Sequence, residues 1–486
     1  MSSKEADLVI RNALIFDGTG ASAIAGDISV MGDRIAAIGS TLDCQARDEI
    51  DAAGKALAPG FIDAHTHDDR IVLTEPSMAC KVSQGVTTVV TGNCGVSIAP
   101  VAINTRPPGP LDLICPDPSN FFHTFAEYFD ALKESPPSVN VLAQAGHASL
   151  RVGVMDSFDR PATDKETGKM KTLLRRALRD GAAGFSTGLY YPPANAAPTE
   201  EIEALASIVK EEGGFHSTHM RDEGDGVVDS LNETFRIGRT ADIPVIVSHH
   251  KCVGLANHGR SRETLKIIDA ARSKQTIGLD VYPYVASSTI LKKDRVKIAA
   301  QTIVTWSDRM EGLEGRDIED VATEMGLPVD QTIDAISPAG AIYFLMDEDD
   351  VRAIMSYPAT MIGSDGLPHD RHPHPRLWGT FPRVLGHYSR EEKLFPLETA
   401  VHKMTGLTAS TFGLKDRGVI GEGAYADLVL FDPDEVIDKA SFEAPKSPAA
   451  GILSVIVNGK VVWKDGGSTA ARPGRVLHNE SFAGCH

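Results

Sequence analysis

The segment Pro59-Gly60-Phe61-Ile62-Asp63-Ala64-His65-Thr66-His67-Asp68-Asp69 places two histidines directly after a short apolar run. The run has the length of a buried strand, and an extended chain turns residues i and i+2 to the same face. Paired imidazoles followed by two carboxylates are typical of metal binding, and a purely hydrogen-bonding role would leave their spacing unexplained. We therefore predict a metal centre at His65 and His67.

Composition limits the classes of partner. The chain has 486 residues, of which 42% are hydrophobic, enough to bury a substantial core. Lys and Arg total 48 against 66 Asp and Glu, so the formal charge is -18. This charge argues against nucleic acid or an anionic membrane surface as the main partner. An anionic substrate would need a local basic pocket.

The cysteines show no paired spacing, and a chain of this size does not need disulfides to fold. They are Cys44, Cys80, Cys94, Cys115, Cys252 and Cys485. The first residues carry charges where a signal peptide would need an apolar core, and we find no uninterrupted apolar run of ~18 residues. We expect reduced thiols in a cytoplasmic protein.

The middle of the chain alternates short apolar runs with charged helical segments, the pattern of repeated β-α units around a parallel sheet. The eight candidate strands are residues 61–65, 86–91, 139–145, 184–187, 215–219, 244–249, 277–282 and 360–364. Eight such units predict an α/β fold, the (β/α)8 TIM barrel. In that fold the active site lies at the carboxyl ends of the strands.

Both ends of the chain consist of short strand-like segments, two of them joined by an Asn458-Gly459 hairpin turn. We predict that residues 1–58 and 415–486 form one small β-sandwich domain beside a barrel at 59–414. Residues 287–357 separate the seventh and eighth barrel strands. An insertion of this length over the barrel mouth is expected to be a lid.

Further polar residues follow other predicted barrel strands. Cys94 lies between glycines after strand two, His219 ends strand five, and Asp365 follows strand eight. Strand periodicity turns only one residue of the pair His249 and His250 inward, and we assign His249 to the metal. His250, like His216, is assigned to structural hydrogen bonds or to contacts behind the metal ligands. Asp365 could serve as general base and then general acid beside a metal. Without the nearby histidines and cysteine, Asp365 would be interpreted as an ordinary turn aspartate before a glycine.

This combination resembles the amidohydrolase superfamily, and within it the D-aminoacylases, or N-acyl-D-amino-acid deacylases. The motifs that carry the resemblance are Gly60-Phe61-Ile62-Asp63-Ala64-His65-Thr66-His67, Gly92-Asn93-Cys94-Gly95, Thr218-His219-Met220-Arg221, Ser248-His249-His250-Lys251-Cys252 and Gly363-Ser364-Asp365-Gly366. Many other members of the superfamily bridge two metals with a modified lysine on strand four. The corresponding segment here, residues 183–189, contains no lysine.

The resemblance implies a zinc-dependent hydrolase that converts an N-acyl-D-amino acid to a carboxylate and a free D-amino acid. It implies one tightly held Zn²⁺ at Cys94, His219 and His249, and a weaker second site around His65, His67 and Asp365. The residues expected to hold the substrate, chiefly its α-carboxylate, are Tyr191, Lys251, Tyr282, Ser288 and Arg376.

The side-chain preference is open. Arg295 follows strand seven beside Lys292 and Lys293, and it could pair with a second carboxylate, which favours N-acyl-D-glutamate. Alternatively these are solvated lid charges, and the substrate carries an apolar side chain such as that of D-leucine or D-methionine, with Met346 as an apolar wall.

Three rival functions can be named. A cyclic-amide hydrolase of the hydantoinase type is disfavoured by the missing lysine, and an inactive scaffold protein should have lost ligands. A closed structural zinc site uses four ligands and would leave His65, His67 and Asp365 unexplained. The acyl group and the oligomeric state are not predicted.

Overall fold

The computed structural model describes residues 5–479. In chain order the strands are β1 (Ala6–Ile15), β2 (Ile24–Met31), β3 (Arg34–Gly39), β4 (Ala46–Asp51), β5 (Ala56–Pro59), β6 (Phe61–Asp63), β7 (Val86–Thr91), β8 (Asn140–Gly146), β9 (Gly184–Gly188), β10 (His216–His219), β11 (Val245–Val247), β12 (Ile277–Val281), β13 (Ala286–Ile290), β14 (Thr302–Ser307), β15 (Ala339–Phe344), β16 (Thr360–Ile362), β17 (Leu428–Phe431), β18 (Ile452–Val457), β19 (Lys460–Lys464) and β20 (Gly467–Ser468).

The α-helices are α1 (Ile71–Thr74), α2 (Ala79–Val82), α3 (Leu111–Ile114), α4 (Phe125–Glu134), α5 (His147–Val154), α6 (Asp164–Asp180), α7 (Pro192–Asn195), α8 (Thr199–Glu212), α9 (Val227–Ala241), α10 (Ser261–Arg272), α11 (Lys293–Ile298), α12 (Ile318–Met325), α13 (Val329–Ile336), α14 (Glu348–Ser356), α15 (Arg376–Arg383), α16 (Leu397–Met404) and α17 (Gly406–Thr411). Short 3₁₀ segments lie at Pro118–Asn120 and Leu255–Asn257, and a π-helix at Val384–Glu391 follows α15. None of the helices within residues 5–479 is both long and apolar enough to cross a membrane.

Eight parallel strands form the barrel, in the order β16-β12-β11-β10-β9-β8-β7-β6. The first and last strands of this order meet through backbone hydrogen bonds from Ala64 to Ile362 and from Asp365 to His65, which closes the cylinder. The predicted fold class is therefore confirmed, and each barrel strand lies within a predicted segment or extends it by one residue. The histidines of the opening motif follow β6 rather than belonging to it.

Apolar side chains from the barrel strands pack together in buried clusters. One buried cluster takes residues from several strands and from the segment around α17, namely Ile62, Val90, Leu142, Phe215, Ile246, Met361, Phe412 and Leu414. A larger cluster lies between the strands and the surrounding helices. Packing of the interior in this way leaves only the carboxyl ends of the strands open for chemistry.

Strands from both ends of the described chain join in a single mixed sheet, with the order β20-β19-β18-β17-β5-β1-β2-β3 and β4 paired with β1. The hairpin between β18 and β19 turns at Asn458 and Gly459, both with positive φ, as a two-residue hairpin loop requires. Between β12 and β16, the strands β13, β15 and β14 form a separate three-stranded sheet. This sheet and helices α11 to α13 make up most of the segment predicted as a lid.

Candidate metal centre

All six residues predicted to form the metal centre lie at the carboxyl ends of barrel strands and are buried. His65 and His67 follow β6, Cys94 follows β7, His219 ends β10, His249 follows β11 and Asp365 follows β16. Two overlapping groups bring possible ligand atoms within 4.8 Å of one another: one is His65, Cys94, His249 and Asp365, and the other is His219, Glu223 and His249. Residues from five strands thus converge on one place.

Cys94 lies at the middle of this arrangement. Its Sγ is 3.3 Å from Nε2 of His65 and 3.3 Å from Nε2 of His249. Burial alone would raise the pKa of the Cys94 thiol, but the neighbouring His65 and His249 rings lower it well below its ordinary value. The thiolate, which is the form that binds metals, is therefore favoured at this position.

The turn that carries Cys94 uses left-handed backbone conformations. Cys94 has φ 54, and the adjacent Gly92 and Gly95 have φ 74. A Cβ on Gly92 would lie 2.1 Å from the carbonyl oxygen of Gln144. Ser186 in β9 accepts a hydrogen bond from the Gly95 N–H at 3.0 Å and donates one to the Gly92 carbonyl. Strand β9 thus fixes the turn that presents the thiolate.

Asp365 connects the histidines to a buried guanidinium. Its Oδ1 lies 3.2 Å from Nε2 of His67 and 3.5 Å from Nε2 of His65, and its Oδ2 lies 2.9 Å from Arg376 Nη1. Burial would raise the pKa of Asp365, but Arg376 and the histidines lower it well below its ordinary value. Asp365 is an ionised carboxylate that can accept a proton.

Glu223 belongs to the centre, although sequence reasoning missed it. Its Oε1 accepts a hydrogen bond from Lys251 Nζ at 2.7 Å and lies 3.1 Å from His249 Nδ1, and its Oε2 lies 3.6 Å from His219 Nε2. Burial would raise the pKa of Glu223, but Lys251 and the histidines lower it well below its ordinary value. The available signal was an acidic residue four positions after His219, in the loop at the barrel mouth.

Asp280 is the second residue that was missed. It lies in β12, accepts the His249 backbone N–H at 2.9 Å, and places Oδ1 3.4 Å from His65 Nδ1. A carboxylate behind a ligand imidazole fixes the orientation and tautomer of the ring. An aspartate inside an otherwise apolar strand was the signal that could have found it.

The donor set fits zinc. It combines thiolate, imidazole and carboxylate, which are the groups that zinc binds in proteins. Within the described part of the chain, both ring nitrogens of His219, Nδ1 of His67 and Oε2 of Glu223 are buried without a hydrogen-bond partner. Buried polar atoms are normally satisfied, so these orphaned atoms are consistent with a bound cation.

The two remaining histidines of the motifs make ordinary contacts. His216 Nε2 lies 3.0 Å from Thr187 Oγ1, and His250 Nε2 lies 2.8 Å from Thr264 Oγ1. Burial lowers the pKa of His216 to about 3 and that of His250 to about 4, so both rings are neutral.

The cavity at the metal centre is also lined by five of the six residues predicted to bind substrate, which are Tyr191, Lys251, Tyr282, Ser288 and Arg295. The sixth, Arg376, lies behind Asp365 and donates to the carbonyl of Ser288 at 3.2 Å. Met346 lines a neighbouring cavity behind Lys251 and Tyr282. Lys293 lies outside and pairs with Asp334. The rest of the catalytic cavity has an apolar wall of Val96, Pro110, Leu113, Ile114 and Leu367.

Comparison with known proteins gives a consistent picture. The sequence matches the amidohydrolase family model over residues 48–275 and 309–463. Three relatives from Alcaligenes xylosoxydans xylosoxydans align along nearly the whole chain. A D-aminoacylase is 53% identical over 98% of both chains. An N-acyl-D-aspartate deacylase is 50% identical over 97% of this chain and 95% of its own, and an N-acyl-D-glutamate deacylase is 43% identical over 98% of both.

Two solved structures superpose on the fold with TM-scores of 0.95. One is a D-aminoacylase, 53% identical, described as having a binuclear metal centre in which one metal activates and the second attenuates; the match covers 97% of this chain and 100% of that one. The other is an N-acyl-D-glutamate deacylase from Bordetella bronchiseptica with zinc and a phosphonate inhibitor, 44% identical, covering 98% of this chain and 100% of that one.

Proposed function

This chain belongs to the amidohydrolase family and, within it, to the D-aminoacylases, and on that premise we propose a zinc enzyme that prefers N-acyl-D-glutamate. The general activity, without the side-chain preference, follows from membership of the family itself. The protein is a metal-dependent N-acyl-D-amino-acid deacylase, since relatives at 53, 50 and 43% identity carry that activity. A hydantoinase-type activity on cyclic amides loses its support for the same reason.

The tight zinc site consists of Cys94, His219 and His249, and His65, His67 and Asp365 form the weaker one. The convergence of Cys94, His249, His65 and Asp365, with His219 beside His249, and the orphaned nitrogens of His219 support a metal centre here. The division into a tight and a weaker site rests on the family membership. Bound zinc supplies Lewis acidity, which lowers the pKa of water to ~7 and polarises an amide carbonyl. Glu223 and Asp280 hold the His249 and His65 rings in place.

Asp365 moves the proton in this reaction. As an ionised carboxylate it accepts a proton from the attacking water and then passes it to the nitrogen of the departing amino acid. Arg376, 2.9 Å from Oδ2, and His67, 3.2 Å from Oδ1, hold the carboxylate in one orientation throughout. The products are the free carboxylate of the acyl group and a D-amino acid.

The α-carboxylate of the substrate is held by the polar wall of the cavity. Lys251 and Ser288 line it directly, and Tyr282 packs between two cations, with its ring centre 5.5 Å from Lys251 Nζ and 4.5 Å from the Arg376 guanidinium carbon. A cationic wall with neighbouring hydroxyls suits a carboxylate.

The preference for glutamate depends on Arg295. This guanidinium is only 6% exposed and lines the same cavity as the metal-binding side chains, although it belongs to the insertion. Its nearest carboxylate oxygen, Glu223 Oε2, is 3.9 Å away, and its Nε has no hydrogen-bond partner within residues 5–479, so the guanidinium can still pair with a second carboxylate on the substrate. A buried cation without a close partner is costly, and an acidic side chain would supply that partner.

A second candidate is a preference for apolar D-amino acids. The five apolar residues of the cavity wall favour it, as does the higher identity to the D-aminoacylase, 53%, than to the N-acyl-D-glutamate deacylase, 43%. In that case Arg295 would be a wall residue neutralised by Glu223.

The deciding experiment measures amino-acid release by the zinc-loaded enzyme from N-acetyl derivatives of D-glutamate, D-aspartate, D-leucine and D-methionine, with the L-enantiomers as controls. We expect the highest kcat/KM with D-glutamate, and a loss of this preference by at least about tenfold in Arg295→Leu, the effect of ~1.4 kcal/mol. Lys293→Leu, a change of the same kind outside the cavity, should keep the preference. D-leucine or D-methionine as best substrate would establish the second candidate.

A further inference from the structure

A lysine ammonium is buried where the first and last barrel strands, β6 and β16, meet. Lys81, in α2, is fully buried. Its Nζ donates to Asp63 Oδ2 and to Ser364 Oγ, each at 2.8 Å, and lies 3.3 Å from Asp68 Oδ2. Burial would lower the pKa of Lys81, but the two aspartates raise it above its ordinary value, so the ammonium stays charged. None of the steps proposed for the reaction involves this group directly.

The partners of Lys81 hold the strand ends that carry the chemistry. Asp63 Oδ1 accepts the backbone N–H of His65 at 3.3 Å and that of Ser364 at 2.7 Å. The next residue, Asp365, donates its backbone N–H to the His65 carbonyl at 2.8 Å. Both the backbone and the hydroxyl of Ser364 are therefore fixed by the pair of Lys81 and Asp63. This cluster sets where Asp365 lies relative to His65.

The segments after β6 and β16 lie too close together to tolerate a shift. A Cβ on Gly363 would lie 2.6 Å from the Cβ of His65. A displacement of the segment after β16 would also change the distances from Asp365 Oδ1 to His67, 3.2 Å, and to His65, 3.5 Å. A buried ion pair is often no more stabilising than apolar side chains of the same volume, so stability alone does not account for Lys81.

We propose that Lys81 is a positioning residue that fixes the carboxylate of Asp365 for proton transfer. It acts through Asp63 and Ser364, which it binds directly. The proposal rests on the proposed function, in which Asp365 moves the proton. A displacement of a reacting group by ~1 Å can cost about 10²-fold in rate. The tight zinc site takes its ligands from other strands and should not depend on Lys81.

The test compares Lys81→Met with Lys403→Met, in which another buried lysine becomes an apolar side chain of similar length. Lys403 Nζ donates to the carbonyls of Tyr357 and Thr360. It therefore supports the same strand, β16, at the end remote from Asp365. The kcat and KM of enzyme loaded with one zinc per chain are measured with N-acetyl-D-glutamate and with N-acetyl-D-leucine, so that the result does not depend on the side-chain preference.

In Lys81→Met we expect kcat to fall by about 10–100-fold with KM close to that of the wild type, because the loss lies in the transition state. Lys403→Met should keep the wild-type kcat. In the background of Asp365→Asn, the change Lys81→Met should have little further effect, since the group that it positions is already absent.

Zinc binding provides a readout that does not depend on turnover. Lys81→Met should weaken the second, weaker zinc site by about 10–100-fold, because His65 and Asp365 both lose their support. Equilibrium dialysis measures this change. The tight site should stay filled in the same preparation.

Ser364→Ala decides the matter if Lys81→Met does not fold, because it keeps the ion pair and removes one hydrogen bond of the ammonium. Its kcat should fall by at least about threefold, the effect of one hydrogen bond. Ser307→Ala is the control, since the buried Ser307 hydroxyl donates to the Ile336 carbonyl at 2.6 Å within the insertion. Its kcat should equal that of the wild type.

A wild-type kcat in folded Lys81→Met or in Ser364→Ala would overturn the proposal. An equal loss of kcat in Lys81→Met and Lys403→Met, or an unchanged affinity for the second zinc, would do the same. An undiminished effect of Lys81→Met in the Asp365→Asn background would show that Lys81 acts on another group. Failure of the wild-type enzyme to release either D-amino acid would instead contradict the proposed function.

Discussion

At the scale of the residue, the proposed proton transfer depends on Asp365. Asp365→Asn keeps the size of the side chain and tolerates the backbone conformation, φ 49, because Asn adopts left-handed conformations readily. We expect kcat to fall by about 10²–10⁴-fold, since general acid–base catalysis contributes that much. Zinc at the tight site should be retained, because Cys94, His219 and His249 remain, and elemental analysis after removal of weakly bound metal measures it.

Asp242→Asn is the matched control. Asp242 has a similar φ of 53, is exposed at the end of α9, and pairs with Lys210. Its replacement should leave both kcat and zinc content unchanged. Retention of kcat in Asp365→Asn would mean that another group carries the proton.

Glu223 is expected to act through the residues that it touches. Glu223→Gln removes a carboxylate that lies within 3.1 Å of His249 Nδ1 and 2.7 Å of Lys251 Nζ. Loss of such support behind a ligand histidine weakens metal binding by about 10–100-fold. Competition against a chelator measures this change directly.

Glu201→Gln tests whether the effect is specific. Glu201 is also buried beside a histidine, with Oε1 2.9 Å from His147 Nε2, but it lies outside the metal centre. Its replacement should lower stability without changing zinc affinity. Equal zinc affinities in the Glu223 variant and the wild type would show that Glu223 does not support the site.

At the scale of the element, the tight turns after the barrel strands place the ligands. Gly92→Ala introduces a Cβ 2.1 Å from the Gln144 carbonyl oxygen, so β8 or the turn that carries Cys94 must shift. Gly32→Ala has a similar φ, 63 against 74, with no heavy atom within 4 Å of its added Cβ. Gly32→Ala should cost about 1–2 kcal/mol of unfolding free energy for the left-handed backbone alone.

Gly92→Ala should cost about 1–3 kcal/mol more than Gly32→Ala because of the clash, and it should also reduce zinc content. Urea unfolding curves and elemental analysis provide the two readouts. Equal behaviour of the two variants would contradict a role for close packing at this turn.

The elements also show what the sequence could predict. Barrel strands were found because apolar runs recur between charged helical segments, and the candidate ligands were identified because they follow those runs. Glu223 and Asp280 were missed because their roles arise from contacts between loops and strands distant in the chain. Asp280, 31 positions after the His249 backbone N–H that it binds, illustrates this. The two terminal segments were predicted to form one small β domain, but alternation of apolar residues does not reveal which of their strands pair.

At the scale of the whole molecule, a buried polar network joins the terminal sheet to the barrel. Asp427, beside β17, accepts the Asn458 N–H at 2.7 Å and the Asn140 side-chain amide at 3.1 Å, and it pairs with Arg417. Asn140 begins barrel strand β8, and Asn458 donates to its Oδ1 at 2.8 Å. The two sheets therefore share one set of hydrogen bonds, and we expect them to unfold together.

Asp427→Asn tests this connection. The change leaves the buried Arg417 without its anionic partner, and breaking a buried pair in this way typically costs about 3–5 kcal/mol. We expect the free energy of unfolding measured with urea to fall by that amount. The loss of circular dichroism and the release of zinc should still occur at the same urea concentration. The KM of the folded protein should not change. Glu200→Gln, which breaks an exposed pair with Arg236, should change stability by less than about 1 kcal/mol. Zinc release at a clearly higher urea concentration than the loss of circular dichroism would show instead that the terminal sheet separates before the barrel opens.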